Sequence, residues 1–243
     1  MLIINADDWG RSRMETDAAL QCFQHGAITR VSAMVFMEDS ERAADVAKSC
    51  GVDVGLHVNL TEAFVTGVPS SAVVDAHSRI SRFLKSSKYA QLLYHPLLRE
   101  AFHHTYQAQA DEFLRLYGKP PSHVDGHQHM HLCANMLADA IIPVGQRVRR
   151  NFSFKSGEKG WLNRKFRRVS DWWLSRNYRL TDYFFALSQH LSIAALDRVI
   201  SLSKTSSVEL MTHPAQHDEQ TFLVGAVCER LAREMSVGTY ANV

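Results

Sequence analysis

Seven short runs of β-branched or apolar residues recur along this chain, and most are separated by stretches long enough for a helix: "LIIN", "RVSAMVFM", "DVGLHVNL", "SHVDG", "RVRRN", "TDYFFAL" and "SVELMTH". That rhythm is the pattern of βα units, whose strands pair in parallel. Between the runs, "RMETDAALQCFQHG" and "SERAADVAKSCG" carry apolar residues at helical spacing and end in Gly26 and Gly51, which suit a helix stop. No glycine-rich dinucleotide fingerprint accompanies the strands. The expected fold is therefore α/β, an incomplete or distorted (β/α) barrel with about seven parallel strands, in preference to a doubly wound sheet. Residues 66–87 read as a long loop or lid, and "PLLREAFHHTYQAQADEFLRLYG" as the helix after it. Neither a linker nor a repeat interrupts the chain, so residues 1–243 are expected to be one domain.

The rest of the composition mainly excludes. A 46% share of hydrophobic residues is ample for a core, and a formal charge of +2 implies no polyanionic partner. Cys22, Cys50, Cys133 and Cys228 are scattered, which suggests neither a disulfide framework nor a cysteine zinc site. The expected compartment is the cytoplasm. The first apolar run is broken by Asp7 and Asp8 before a signal-peptide core could form.

Candidate chemistry falls where the expected strands end: Asp7 and Asp8 in "NADDWG", His57 in "GLHVNLT", the cluster "HVDGHQHMH", and His213 in "ELMTHPA". In β/α folds the carboxyl ends of parallel strands converge on one face, so distant segments become neighbours. Adjacent carboxylates repel, and a divalent cation on one of them removes the repulsion and leaves the other as an acceptor beside a metal-bound water. In the cluster, His123, Asp125, His127, His129 and His131 occupy every second position, but Gly126 breaks any extension, so not all five can meet one ion. His127 and His131 are four apart, yet Gln128 stands where a zincin has its catalytic Glu, which disfavours a metalloprotease. One carboxylate and two imidazoles with open positions suit zinc or another first-row ion, and magnesium remains compatible.

At "NADDWG", "GLHVNLT", "HVDGHQHMH" and "ELMTHP", in that order and over nearly the whole chain, the sequence resembles the YdjC-like carbohydrate deacetylases, which include chitooligosaccharide deacetylases and hopanoid-biosynthesis-associated members. The resemblance implies a barrel-like, metal-dependent hydrolase that removes N-acetyl groups from amino sugars. Position by position it implies Asp8, His57 and His127 as ligands of a divalent metal, magnesium or zinc, with Asp7 as general base and His213 as general acid. The chain departs from the family pattern with Trp9 in place of Phe, expected to keep an aromatic wall, and with Ala215 in place of Gly.

Arg147 to Arg168 holds nine Lys or Arg against the single acid Glu158, with Trp161, Trp172 and Trp173 in or just after it. It reads either as a solvated basic helix or as a receiver for an anionic partner: a phosphorylated or lipid-linked acetylated sugar, or peripheral membrane contact through 147–173. Arg149 is the member expected to face the pocket. Nucleic acid is disfavoured because no binding module accompanies the charge, and a homodimer is left open. Three rival readings stand. A metal phosphoesterase and a non-catalytic metal- or carbohydrate-binding protein would use the same residues. A non-haem iron oxygenase built on His123, Asp125 and His213 would leave Asp7, Asp8 and His57 unexplained.

Overall fold

The computed structural model describes residues 1–68, 70–153 and 161–225, without the side chains of residues 161–164 and 166. In chain order the elements are β1 (Leu2–Trp9), α1 (Arg13–Gln24), β2 (Arg30–Ala33), α2 (Ser40–Cys50), β3 (Asp53–Val58), α3 (Ser71–Lys85), α4 (Arg99–Tyr117), β4 (Val124–Gly126), α5 (Ala134–Ala138), α6 (Trp161–Asn177), β5 (Tyr183–Ala186), α7 (Ile193–Ser203), β6 (Val208–Thr212) and α8 (His217–Val224). Among the described residues, six strands form one sheet in the order β4-β3-β2-β1-β6-β5. This is the α/β class expected, with the open strand order of an incomplete barrel.

The expected strand "RVRRN" is the one that does not form. Arg147 makes an isolated parallel bridge to Arg179, with the Val148 N–H donating to the Arg179 carbonyl at 3.0 Å and the Arg179 N–H to the Gln146 carbonyl at 2.9 Å, and this pairing does not extend into a strand. The supposed loop at residues 66–87 is largely a helix, α3. Ser70 caps it by accepting from the Val73 N–H, and Val73, Ala76, His77, Ile80 and Leu84 form its buried stripe at spacings of three and four. Small Ala76 and polar His77 disguise that stripe in the sequence. Gly51 and Gly118 end α2 and α4 in the left-handed conformation, at φ 72° and 68°.

Contacts divide the chain into two compact units. The first comprises Met1–Asp7, Asp17–Val31 and the chain from Gly145. In it β6 lies parallel to β1, pairing Ile4 with Leu210 and Ala6 with Thr212, and parallel to β5, pairing Phe184 with Glu209. Phe184, Ala186 and Met211 pack together, and Phe152 stacks on Phe184 with ring centroids 4.6 Å apart. Fully burying each such aromatic or aliphatic side chain contributes on the order of 2 kcal/mol.

The second unit comprises Asp8–Thr16 and Ser32–Val144. Here β3 and β4 are parallel, with Leu56 opposite Val124 and Val58 opposite Gly126, and α3 packs on α4. Trp9 is fully buried and its indole N–H donates to the Ala43 carbonyl at 3.1 Å, so it anchors α2 and does not form the aromatic wall expected of it.

Candidate metal centre

β1 is buried throughout, and an extended strand would send Asp7 and Asp8 to opposite faces. Asp8 instead has φ 64°, a left-handed conformation that Asp tolerates better than most side chains. The Arg11 N–H then donates to the Asp8 carbonyl at 3.1 Å, and Gly10, at φ 83°, completes the turn. A Cβ at Gly10 would lie 3.0 Å from the Met34 carbonyl oxygen as well as in that disfavoured region.

In the second unit, Asp8, His57 and His127 present ligand atoms that all lie within 4.8 Å of one another. His127 Nδ1 is 3.0 Å from Asp8 Oδ1, and His57 Nε2 is 3.4 Å from the same oxygen. Burial by itself would raise the Asp8 carboxyl, but the hydrogen bonds from His127 and His57 and their charges outweigh it and hold the group well below the usual carboxylate range.

His57 is oriented from behind. Its Nδ1–H donates to Asp125 Oδ1 at 2.8 Å, and Asp125 Oδ2 accepts from the Ser32 hydroxyl at 2.7 Å. With that proton committed, Ser32 Oγ is left to accept from His123 Nε2, 2.9 Å away. Asp125 and His123 are completely buried. Because Nδ1 is the donor to Asp125, a neutral His57 turns the lone pair of Nε2 toward a carboxylate oxygen. Two acceptors that close require a proton or a cation between them, so the donor set fits a divalent ion. Neighbouring donors around a tetrahedral zinc stand roughly 3.4 Å apart, comparable with the separations found.

Of the five alternating positions in "HVDGHQHMH", one therefore joins the trio, His127, and two lie behind it. His129 and His131 occupy the turn after β4, with ring centroids 6.4 Å apart, and both Gln128 and His129 have positive φ, 53° and 59°. Those left-handed residues prevent His127 and His131 from sharing a helix face. The sequence reading missed Glu62, whose Oε2 is 3.4 Å from His127 Nε2 and 2.9 Å from Arg11 Nε. The only signal for it is its place four residues beyond β3.

The first unit holds a separate buried network. Asp7 accepts from both terminal nitrogens of Arg149 at 2.7 Å, and its Oδ1 also accepts from Asn5 Nδ2 at 2.7 Å. Arg149 Nε donates to Glu209 Oε1 at 2.8 Å, and Arg30 Nη2 lies 3.5 Å from that oxygen. Arg30 also donates from Nε to Asn5 Oδ1 at 3.1 Å. Two guanidiniums and two carboxylates, each at most 3% exposed, balance one another. Arg149, expected to face the pocket, is instead the clamp on Asp7. Arg150 is likewise turned inward, to Asp171 at 2.8 Å, while Lys155, Lys159 and the Arg164 side chain fall outside the described residues. His213 is the residue after β6, whose last recorded pair with β1 is Thr212 opposite Ala6. Its backbone N–H donates to Glu219 Oε2 at 2.8 Å, and the same oxygen accepts from Thr212 Oγ1 at 2.7 Å.

The family profile described as YdjC-like protein matches residues 1–240. The chain belongs to the YdjC-like family. Among curated members, a chitooligosaccharide deacetylase of Proteus mirabilis (strain HI4320) is 30% identical across all of this chain and 92% of its own length. Carbohydrate deacetylases of Homo sapiens and Mus musculus are 30% and 29% identical; each alignment covers 88% of this YdjC-like chain, and 74% and 77% of the relative. A crystal structure from Enterococcus faecalis V583, provisionally named a cellobiose-phosphate cleavage protein, shares the fold with a TM-score of 0.66 at 16% identity, covering 99% of this chain and 97% of its own.

Proposed function

We propose that this chain is a metal-dependent hydrolase that removes the N-acetyl group from an amino sugar of a saccharide. The observation that carries the reading is the trio of Asp8, His57 and His127, with His57 fixed by Asp125 so that Nε2 meets the Asp8 carboxylate. The naming of the relatives as chitooligosaccharide and carbohydrate deacetylases supports the substrate class.

Asp8, His57 and His127 would hold magnesium or zinc, which when bound lowers the pKa of water and polarises an acetyl carbonyl. Asp7, the residue before Asp8, takes the proton of the attacking water. The two-pronged bond from Arg149 fixes both oxygens of Asp7 in place, so the base does not have to be ordered at each turnover. His213 gives a proton to the departing nitrogen so that the amine leaves neutral and the intermediate does not revert. A reducing, cytoplasmic setting belongs to the same proposal, since the scattered Cys22, Cys50, Cys133 and Cys228 suggest no disulfide framework.

The test is acetate release from N-acetylated saccharides by protein stripped with chelator and reloaded with single metals. Asp8→Asn should abolish metal-dependent release, and Asp7→Asn or His213→Ala should lower it by about 100-fold or more. Wild-type rates in any of the three would remove the assigned role. Inorganic phosphate in place of acetate would establish the phosphoesterase instead.

A further inference from the structure

From Ala76 to Arg99 the chain has five basic residues, Arg79, Arg82, Lys85, Lys88 and Arg99, and no Asp or Glu, whereas the whole sequence is close to neutral at +2. All five are exposed. The same stretch carries the densest run of exposed large apolar side chains among the described residues: Tyr89, Leu92, Leu93, Tyr94 and Leu97, between 44% and 79% exposed. Single exposed leucines are ordinary on a protein surface, but five such side chains within nine residues form a patch that marks an interaction site.

The exposure is built into the fold. Ala90 and Leu98, 1% and 5% exposed, pin the short 3-10 turns Ala90–Leu92 and Pro96–Leu98 to the protein. Between the turns, the His95 N–H donates to Asn135 Oδ1 at 2.9 Å, and Asn135 Nδ2 donates back to the His95 carbonyl at 3.0 Å. From α3, Arg79 Nη2 donates to the Leu97 carbonyl at 3.3 Å. The backbone is thus fixed with its apolar side chains outward, and a partner does not have to order it before docking.

The cations stand beside the apolar side chains. Lys88 Nζ lies 5.0 Å from the centre of the Tyr89 ring. Asp75, 4.0 Å from Arg79, and Asp139, 3.3 Å from Arg99, balance the two end members, and the Tyr94 hydroxyl donates to the same Asp139 oxygen at 3.0 Å. Among the described residues no carboxylate pairs with Arg82, Lys85 or Lys88. Protruding leucines flanked by unbalanced positive charge fit an occupant that is anionic at its surface, apolar just beneath, and yielding enough to admit them. A second copy of this chain fails on the first count, because across a two-fold axis the basic stretch would face itself. An anionic lipid surface meets all three conditions. No helix among the described residues is long and apolar enough to cross a membrane, and the patch is of the kind that lies on one.

We propose that residues 82–99 dock this protein on an anionic membrane surface, with Leu92, Leu93 and Leu97 entering the headgroup layer and Arg82, Lys85 and Lys88 against lipid phosphates. The inference stands apart from the deacetylase reading. It places the membrane contact on the second unit and not on the basic stretch 147–173, where Arg149 and Arg150 are turned inward.

The test is co-sedimentation of the full chain at low salt with vesicles of phosphatidylglycerol mixed with phosphatidylcholine, and with vesicles of phosphatidylcholine alone. The protein should pellet with the first and stay in solution with the second. Leu92→Ser, Leu93→Ser and Leu97→Ser combined should lower the partition coefficient about 100-fold or more, and Lys85→Gln with Lys88→Gln about fivefold per charge. All five positions are exposed, so circular dichroism should show the fold retained. No pelleting with either vesicle overturns the proposal, and so does pelleting that the leucine variant keeps in full. Loss of pelleting in Trp172→Ala with retention in the leucine variant assigns the contact to α6 and overturns it as well. A wild-type dimer in sedimentation velocity that stays off vesicles, and that the leucine variant converts to monomer, overturns it in favour of a second copy.

Discussion

His57 Nδ1 stands 2.8 Å from Asp125 Oδ1, and that bond decides which face of the imidazole is offered to Asp8. Asp125→Asn keeps the shape but puts an amide where a second acceptor oxygen was, and the tautomer of His57 is no longer specified. Removing an orienting partner of this kind typically costs about 10- to 100-fold in metal affinity. Zinc or magnesium titration by calorimetry should show a loss of that size in Asp125→Asn, with secondary structure retained. Undiminished affinity would mean that His57 is held by packing alone.

Gly55 is required for a steric reason. A Cβ there would lie 2.1 to 2.4 Å from three atoms of the His123 ring, which is fully buried and has nowhere to retreat. Gly55→Ala should cost about 1–3 kcal/mol, the range for overpacking a core. The cost is specific to the ring, so His123→Ala should be less damaging in the Gly55→Ala background than in wild type. Additive losses in urea denaturation of the two single variants and the double would show that the ring is not the obstacle.

Arg149→Lys tests the buried ion-pair network. A lysine is a point charge and cannot bond both Asp7 oxygens and Glu209 together, as the three guanidinium nitrogens do. The expected loss is on the order of 3 kcal/mol, read as a lower urea midpoint at unchanged slope, together with a fall in turnover as Asp7 loses its fixed orientation. An unmoved midpoint would show that the fork contributes nothing net to the fold.

A pH dependence follows from His77. Its pKa falls from the ordinary histidine value to about 4 on folding, through burial first and the Lys85 charge second. The unfolded chain therefore binds a proton between about pH 6.5 and pH 4 that the folded chain refuses. Stability contributed by the neutral ring is complete above about pH 6.5 and declines as the pH falls to about 4, by on the order of 3 kcal/mol in all. His77→Phe should flatten that part of the stability curve, measured as thermal midpoints across the range. A slope identical to wild type would assign the decline to other groups.

The strand-forming runs were plain in the sequence because β-branched residues and turn signals coincide there, and the glycines that end α2 and α4 occupy the left-handed positions their type suggests. The sequence pattern placed candidate chemistry at the strand ends, and the family resemblance was needed to single out Asp8, His57 and His127 there. Helix α3 was not legible, because two of its buried positions are a small and a polar residue. Nor were Arg30 and Glu209, which look like the polar half of an alternating strand and are completely buried in each other's company. Charges that exist only to balance other charges leave no local signature.

The four buried charges of Asp7, Glu209, Arg30 and Arg149 have a consequence for how this sequence can drift. Losing any one of them leaves an odd charge in a dry interior, so single steps at these positions are penalised even when both end states would be acceptable. Variation is expected at Glu209 and Arg30, as a matched exchange of acid and base, since Asp7 and the Arg149 that holds it are tied to the proposed chemistry, so a lineage keeping one of Glu209 and Arg30 without the other would have to bring in a new counter-charge from elsewhere in the same unit.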